Sequence, residues 1–148
     1  MRDILLFLHA AAAILWIGGM AFVLFSLRPA LHAQLQPPVR LPLMAQVLRR
    51  FFATVIASIV VLLPTGMWLL MQVPGGQAPK GWHAMAGLGV LMALVFGHIF
   101  FAPWRRAKLA VAAQDWAEAG RRMNQLALLV KVNLALGVLA IAAVYLWR

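Results

Sequence analysis

Two histidines near the starts of long apolar segments are the side chains of this sequence best suited to hold a metal. His9 and His83 are each followed, three and four residues later, by small residues. These small residues are Ala12, Ala13, Ala86 and Gly87. Residues at this spacing share one helical face, so each imidazole would stand beside missing side-chain volume. A flat iron porphyrin between two helices needs such a gap, and the pattern predicts a haem b site with both histidines as axial ligands.

The haem interpretation gives roles to three further residues. Trp16, seven residues after His9, falls on the same helical face and would line the site. Arg2 and Lys80 lie at the same end of the predicted helices and are the expected partners of the haem propionates. Iron held by two histidines favours electron transfer over oxygen binding, which predicts an electron-transfer or oxidoreductase component. The sequence does not identify its electron partner, for which a quinone is one candidate, and it leaves a homo-oligomer open.

Methionines near the same histidines favour a second interpretation. Met67 and Met71 are four residues apart on one helical face. Met85 follows His83 by two positions. With His9, these thioethers and imidazoles are suitable ligands for Cu(I), which predicts a copper-handling membrane protein for transport or resistance. Methionine and small residues are also ordinary packing residues of apolar helices, so a packing or assembly subunit without a cofactor is a third interpretation.

Two polar residues lie deeper in the predicted membrane spans. His98 is fifteen residues beyond His83, which is about 22 Å along a helix, so the two cannot bind one iron. Lys131 lies at a matching depth in the last apolar segment. We predict a secondary polar site for His98 and Lys131, with a satisfied polar contact or a lysine extending to the headgroups as the simpler alternative. His32 falls between apolar segments and is expected in a solvated loop.

Several kinds of chemistry have no residues in this sequence. There is no cysteine, which excludes disulfides and thiolate metal sites. The carboxylates are Asp3, Asp115 and Glu118, and none lies inside an apolar segment. Paired-acid catalysis and an acidic proton relay within the membrane are therefore excluded. The sequence also has no phosphate-binding loop or dinucleotide motif, so any activity depends on a bound cofactor.

The composition requires a lipid environment. Of 148 residues, 65% are hydrophobic, and the mean hydropathy is +0.91. Four segments reach the length of about 20 residues that crosses a bilayer. They run from Ile4 to Leu27, Phe51 to Gln72, Trp82 to Trp104 and Asn124 to Trp147. We therefore predict an all-α bundle of four transmembrane helices, in which residues 1–148 form a single integral membrane domain.

The formal charge of +10 is distributed unevenly along the chain. Nine Lys and Arg residues lie in the connections after the first and third segments. Three lie on the other side, namely Arg2, Lys80 and Arg148. This asymmetry predicts that both termini lie outside the cytoplasm, in a multi-pass protein of a bacterial-type inner (plasma) membrane. The basic connections are expected to meet anionic lipid headgroups rather than nucleic acid.

The order of segments predicts two helical hairpins that repeat in parallel. Each begins with a histidine near the outer side, and its first segment ends at proline and arginine, at Arg28-Pro29 and at Pro103-Trp104-Arg105-Arg106. Asp115 and Glu118 have the spacing of a capping box, which predicts that the last helix starts below the bilayer. Pro64-Thr65-Gly66 predicts a kink near the outer end of the second helix, where the Thr65 hydroxyl can satisfy freed backbone groups.

Motifs across nearly the whole chain resemble the CopD family of copper-resistance membrane proteins. They are Leu8-His9, Trp16-Ile17-Gly18-Gly19, Leu27-Arg28-Pro29-Ala30-Leu31, His83 at the start of the third helix, and Phe101-Ala102-Pro103-Trp104-Arg105-Arg106 at its end. The first helix is also similar to that of the HemJ type of protoporphyrinogen oxidase, a related four-helix family that holds a b-type haem. That resemblance implies that His9 is an axial ligand. The third helix of that family opens with Trp-Leu-His-x-Lys, whereas Trp82-His83-Ala84-Met85 stands here.

Overall fold

The helices of the protein build four membrane-length stretches. The computed structural model describes residues 1–74 and 77–147, and in these ranges every regular element is helical. The helices are α1 (Arg2–Phe22), α2 (Arg28–Gln34), α3 (Pro37–Met71), α4 (Lys80–Phe101), α5 (Pro103–Ala112) and α6 (Trp116–Leu146). They form four stretches long and apolar enough to cross a membrane, namely Arg2–Gln34, Pro37–Met71, Lys80–Ala112 and Trp116–Leu146. The predicted all-α architecture with four spans is confirmed. Arg148, one of the predicted outer charges, lies outside the described residues.

The four stretches are longer than a bilayer requires. They contain 31 to 35 residues, whereas about 20 residues cross the hydrocarbon layer. We call the end of the bundle that holds the start of α1 and the end of α3 the outer end. The opposite end carries Arg28, Arg49 and Arg105 and is called the basic end. The additional turns lie mainly at the basic end, where α3 begins at Pro37 instead of near Phe51.

The sequence predicts that the first span ends at Leu27, but the helix continues past this residue. A π-helical turn, Val23–Leu27, joins α1 directly to α2, and the Arg28 N–H donates to the Val23 carbonyl five residues earlier. Pro29 then falls in the first turn of α2, where a missing N–H is tolerated. The helix therefore continues past the proline. His32 lies in the last turn of α2, so the expectation that it sits in a loop is wrong.

The third span repeats this plan with a sharper interruption. Ala102 separates α4 from α5 and has φ −107° and ψ −85°, which is not helical. Pro103 begins α5, where its fixed φ suits the first position of a helix. In both hairpins a stretch of 33 residues that is interrupted near the basic end precedes one continuous helix. The predicted parallel repeat is thus visible in the backbone.

The second and fourth spans are the continuous helices α3 and α6. Helix α3 passes through Pro64 without a break. The Thr65 hydroxyl donates to the Val61 carbonyl over 2.6 Å, next to the turn in which Pro64 lacks an N–H. Asp115 caps α6 by accepting the Glu118 N–H at 3.0 Å. This hydrogen bond confirms the helix start that the capping-box spacing predicts.

An aromatic cluster joins the hairpins in the core. Phe52 of α3 packs edge-on against Phe96 of α4 and Trp104 of α5, with ring centroids 5.4 Å and 5.2 Å apart. Trp16 of α1 contacts Phe96 with centroids 6.4 Å apart. Trp16 is only 3% exposed. The residue predicted to line a haem site therefore packs against other aromatic rings in the core.

A close backbone contact joins α4 to the end of α6 at the outer end. The Gly81 N–H donates to the Trp147 carbonyl over 2.9 Å. A Cβ atom on Gly81 would overlap the carbonyl oxygen of Ala143. Glycine is required here because no side chain fits between the two backbones. The contact fixes the start of α4, and with it Trp82 and His83, against the last turns of α6.

Candidate metal site at His9

His9 lies half-buried between α1 and α3, at the outer end of the bundle. Its Nδ1 atom is 2.9 Å from the Thr65 Oγ1 atom. The single hydroxyl hydrogen of Thr65 is donated to the Val61 carbonyl over 2.6 Å. The Thr65 oxygen therefore accepts the hydrogen bond from His9, which places the ring proton on Nδ1. Nε2 of His9 is left with the lone pair that can bind a metal ion.

Gly66 leaves room for the imidazole ring of His9 beside α3. A Cβ atom on Gly66 would lie 2.9 Å from the Cε1 atom of His9, closer than carbon atoms normally approach. Any side chain at this position would displace the ring from α3. Thr65 and Gly66 thus act together, since one residue orients the imidazole and the other makes room for it.

The arrangement has the features of an oriented metal ligand. Histidines that bind metals usually donate their second ring N–H to an acceptor that fixes the tautomer and the ring orientation. Thr65 is such an acceptor for His9, and it is buried at 8% exposure. A threonine hydroxyl that already donates to its own helix cannot reverse its role at low cost. In the neutral imidazole, Nε2 of His9 is then the atom that can bind copper or haem iron.

His83 and its small neighbours occupy a different environment. His83 and Gly87 are exposed, Ala86 is half-buried, and a Cβ atom on Gly87 would meet no other atom within 4 Å. On α1, Ala12 is buried and Ala13 is half-buried. The gap expected beneath His83 is therefore open surface, and the described residues show no hydrogen bond that links it to the His9 site. The predicted haem site between His9 and His83 gains no support from this geometry.

The predicted propionate partners also lie on the surface. Arg2 and Lys80 are both exposed. They remain available to an anionic group at the outer end, as the sequence predicts. Within the described residues they form no salt bridge, and the two salt bridges described join Glu118 to Arg121 and Arg122 at the basic end.

The methionines of the copper interpretation are not brought to His9 by any contact among the described residues. Met67 and Met71 are 54% and 71% exposed on α3, and Met85 is half-buried on α4. Met67 directly follows Gly66, so its thioether lies in the same helical turn as the residue that contacts the His9 ring. In residues 1–74 and 77–147, no three His, Cys, Asp or Glu side chains are grouped closely enough to hold a metal ion.

The secondary polar residues are not brought together by a described contact. His98 on α4 and Lys131 on α6 are both exposed. Their predicted joint site stays a prediction. A polar residue that sequence reasoning missed is Asn133, which is 1% exposed and has an Oδ1 atom without a hydrogen-bond partner in the described part of the chain. The signal for it in the sequence is an amide in the middle of an apolar span, two residues after Lys131.

Comparison with known families identifies the chain. The family model for copper resistance protein D, CopD, matches residues 45–147, which is most of the sequence. The chain belongs to the CopD family. This confirms the resemblance found in the sequence motifs, and the relation to the HemJ type stays a prediction. The CopD match includes Thr65, Gly66 and His83, and it begins after His9. Searches of curated proteins and of solved structures gave no match.

Proposed function

We propose that this CopD-family membrane protein handles copper, and that it binds the ion as its substrate through Nε2 of His9 at the outer end of the bundle. The observation that carries the proposal is the hydrogen bond from His9 Nδ1 to Thr65, because it orients the ring and leaves Nε2 free for a metal. The printed name of the family, copper resistance protein D, supports copper as the metal.

A methionine supplies the second ligand in this proposal. Thioether sulfur is a soft donor that suits Cu(I), and imidazole binds copper as well. Met67 stands next to Gly66, and its exposed side chain has three rotatable bonds with which to approach the His9 ring. We assign Met71, Met85 and His83 as further donors near the same end. The exposed side chains of Met71 and His83 let them receive an ion from outside the bundle.

The haem b interpretation has weaker support. A bis-histidine haem needs two imidazoles that face each other across one gap. Only His9 is half-buried between helices, whereas His83 is exposed. Three further expectations depend on a bound haem, namely electron transfer, a quinone partner and an oxidoreductase activity. No separate observation supports any of them. They therefore rank below copper handling.

Copper titration of the purified protein tests the proposal. Cu(I) is titrated against a competing chelator with the parent protein, with His9→Ala and with His98→Ala in the same detergent. We expect about one high-affinity copper ion per chain in the parent and in His98→Ala, and at least about tenfold weaker binding in His9→Ala, because a ligand is lost. Equal affinities in all three proteins would contradict the proposal. A Soret band in the visible spectrum that disappears in His9→Ala would instead support haem.

A further inference from the structure

A cleft at the basic end of the bundle has a cationic mouth and an apolar floor. It lies between the first span, α3 and α6, and it is shallow, because the apolar side chains that line it are themselves buried. Three nitrogen-bearing side chains line the mouth, namely Arg28, His32 and Arg40. The floor is formed by apolar side chains, which include Leu24, Leu41, Met44, Met123, Leu126 and Val130. The cleft is therefore polar only at its opening.

The π-helical turn forms one wall of this cleft. Val23 and Leu24 of the turn line the floor, and Arg28 and His32 follow on α2. Arg28 and His32 are four residues apart, so they share a helical face. A π-helical turn rotates the residues after it relative to those before it, and such turns occur frequently at functional sites. Here the turn brings Arg28 and His32 to the mouth of the cleft whose floor contains Val23 and Leu24.

The two arginines at the mouth differ in their hydrogen bonding. Arg28 donates from Nη2 to the Asn124 Oδ1 atom over 2.5 Å, which joins the first span to α6. Arg40 makes a long bond of 3.4 Å from Nη1 to the Leu35 carbonyl. Its Nε atom is buried and has no partner among the described residues. The described residues thus give the guanidinium one long hydrogen bond, and its terminal amino groups are left for an acceptor supplied by a ligand.

The charges at the mouth are not balanced by the residues that line it. No carboxylate lines the described cleft. Glu118, the nearest acidic residue in sequence to the α6 part of the floor, is engaged by Arg121 and Arg122. Guanidinium groups bind phosphate oxygens with paired hydrogen bonds. A phosphate group would supply acceptors to the donors at the mouth.

We propose that the mouth of this cleft, at the basic end of the membrane-spanning bundle, binds the phosphate headgroup of an anionic membrane phospholipid. Free inorganic phosphate shares the headgroup chemistry, but the end of a membrane-spanning bundle lies at the level of the lipid headgroups, which favours the lipid as the source of the phosphate. Arg40 is the principal phosphate ligand, and Arg28 and His32 complete the mouth. The site is separate from the metal site at His9 and does not depend on it.

Lipid titration with matched arginine variants tests this proposal. The protein is reconstituted into nanodiscs of phosphatidylcholine, and phosphatidylglycerol is added while bound lipid is counted by native mass spectrometry. The variants are Arg40→Gln, Arg40→Lys and, as a control with the same charge change on the same helix, Arg50→Gln, whose exposed side chain does not line the cleft. We expect about one tightly held phosphatidylglycerol in the parent and in Arg50→Gln. Arg40→Gln should weaken its binding by about tenfold or more, because a charge-assisted hydrogen bond is lost.

The remaining comparisons separate lipid binding at this cleft from a general attraction of anionic lipid to basic residues. Arg40→Lys keeps the charge but loses the planar pair of donors, so it should bind the lipid more weakly than the parent does. Circular dichroism and gel filtration establish that the variants keep the parent's fold. Equal losses in Arg40→Gln and Arg50→Gln would overturn the proposal, since they would indicate nonspecific electrostatics. Displacement of the lipid by millimolar inorganic phosphate would overturn the assignment to a phospholipid.

Discussion

Gly66 and His9 meet across the interface of α1 and α3 so closely that a Cβ atom on Gly66 would come within 2.9 Å of the imidazole. The neighbouring Thr65 holds the same ring by a hydrogen bond of 2.9 Å. Two consecutive residues of α3 therefore determine both the position and the tautomer of a histidine on another helix. Pro64 precedes them directly, and α3 continues as one helix through all three residues.

Changing Gly66→Ala should move the His9 ring and weaken copper binding. Alanine is the better helix former by about 1 kcal/mol, but the added methyl group overpacks the ring contact, and overpacking typically costs about 1–3 kcal/mol. We expect copper affinity to fall severalfold and thermal stability to stay equal or decrease slightly. Gly18→Ala is the matched control, because a Cβ atom there meets nothing within 4 Å. The prediction fails if both variants bind copper as the parent does.

Thr65→Val tests the orienting hydrogen bond without changing the side-chain volume greatly. Valine offers no acceptor to His9 Nδ1, so the ring loses its fixed tautomer and orientation. Loss of such a partner typically weakens metal binding about 10–100-fold. Thr65→Ser retains the hydroxyl and should recover most of the affinity, as measured by chelator competition. If Thr65→Val and Thr65→Ser bind copper equally, Thr65 serves packing alone.

The helices could be predicted from sequence because their signals are local. Hydropathy defined the four spans, and the spacing of Asp115 and Glu118 defined the start of α6, where the capping bond is present at 3.0 Å. The prediction that the first span ends at Leu27 failed, because Pro29 fits the first turn of α2 once a π-helical turn precedes it. A proline at such a position is compatible with a helix that ends there and with a helix that continues, and only the surrounding packing decides between the two.

The partners within the site could not be predicted because they are distant in sequence. His9 was recognised as a candidate ligand, but Thr65 lies 56 residues away, and no periodicity connects the two. Small residues follow His83 at the same spacing as they follow His9, yet His83 is exposed. Small residues three and four positions away create a gap only when another helix packs over that face. Such packing is a property of the tertiary structure.

Replacing Met67, Met71 and Met85 by leucine tests the thioether ligands. Exchanges of methionine for leucine preserve volume and typically cost less than about 1.5 kcal/mol each, so the fold should persist. We expect copper affinity to decrease, since the sulfur donors are lost while His9 remains. Met92→Leu is the control, because Met92 is 4% exposed in the core. Unchanged copper affinity in the triple variant would remove the methionines from the site.

Reporter fusions test the orientation of the bundle. The unequal distribution of Lys and Arg predicts that both termini face away from the cytoplasm. A phosphatase fused to the C-terminus should therefore be active, and a fluorescent reporter inserted near Gln114, between α5 and α6, should fluoresce in the cytoplasm. The opposite activities would place His9 on the cytoplasmic side and the cleft with Arg40 on the other. The helical architecture would be unaffected.

The last prediction is that lipid binding in the proposed cleft strengthens at acidic pH. His32 lies in the last turn of α2, in the turns at the basic end by which the first stretch exceeds the length needed to cross the bilayer, and partial burial followed by the charges of Arg40 and Arg28 holds its pKa below the ordinary value of 6.5. The residues that α6 contributes to the cleft are uncharged. The phosphodiester keeps its charge across this range, so a bound lipid favours the protonated imidazole, and affinity should rise as the pH falls below about 6.5. Above that value His32 is neutral and the affinity should be constant.

His32→Gln should abolish the rise at low pH and leave the neutral-pH affinity nearly unchanged, whereas His98→Gln should behave as the parent does. A pH-independent affinity in the parent would show that His32 does not face the phosphate.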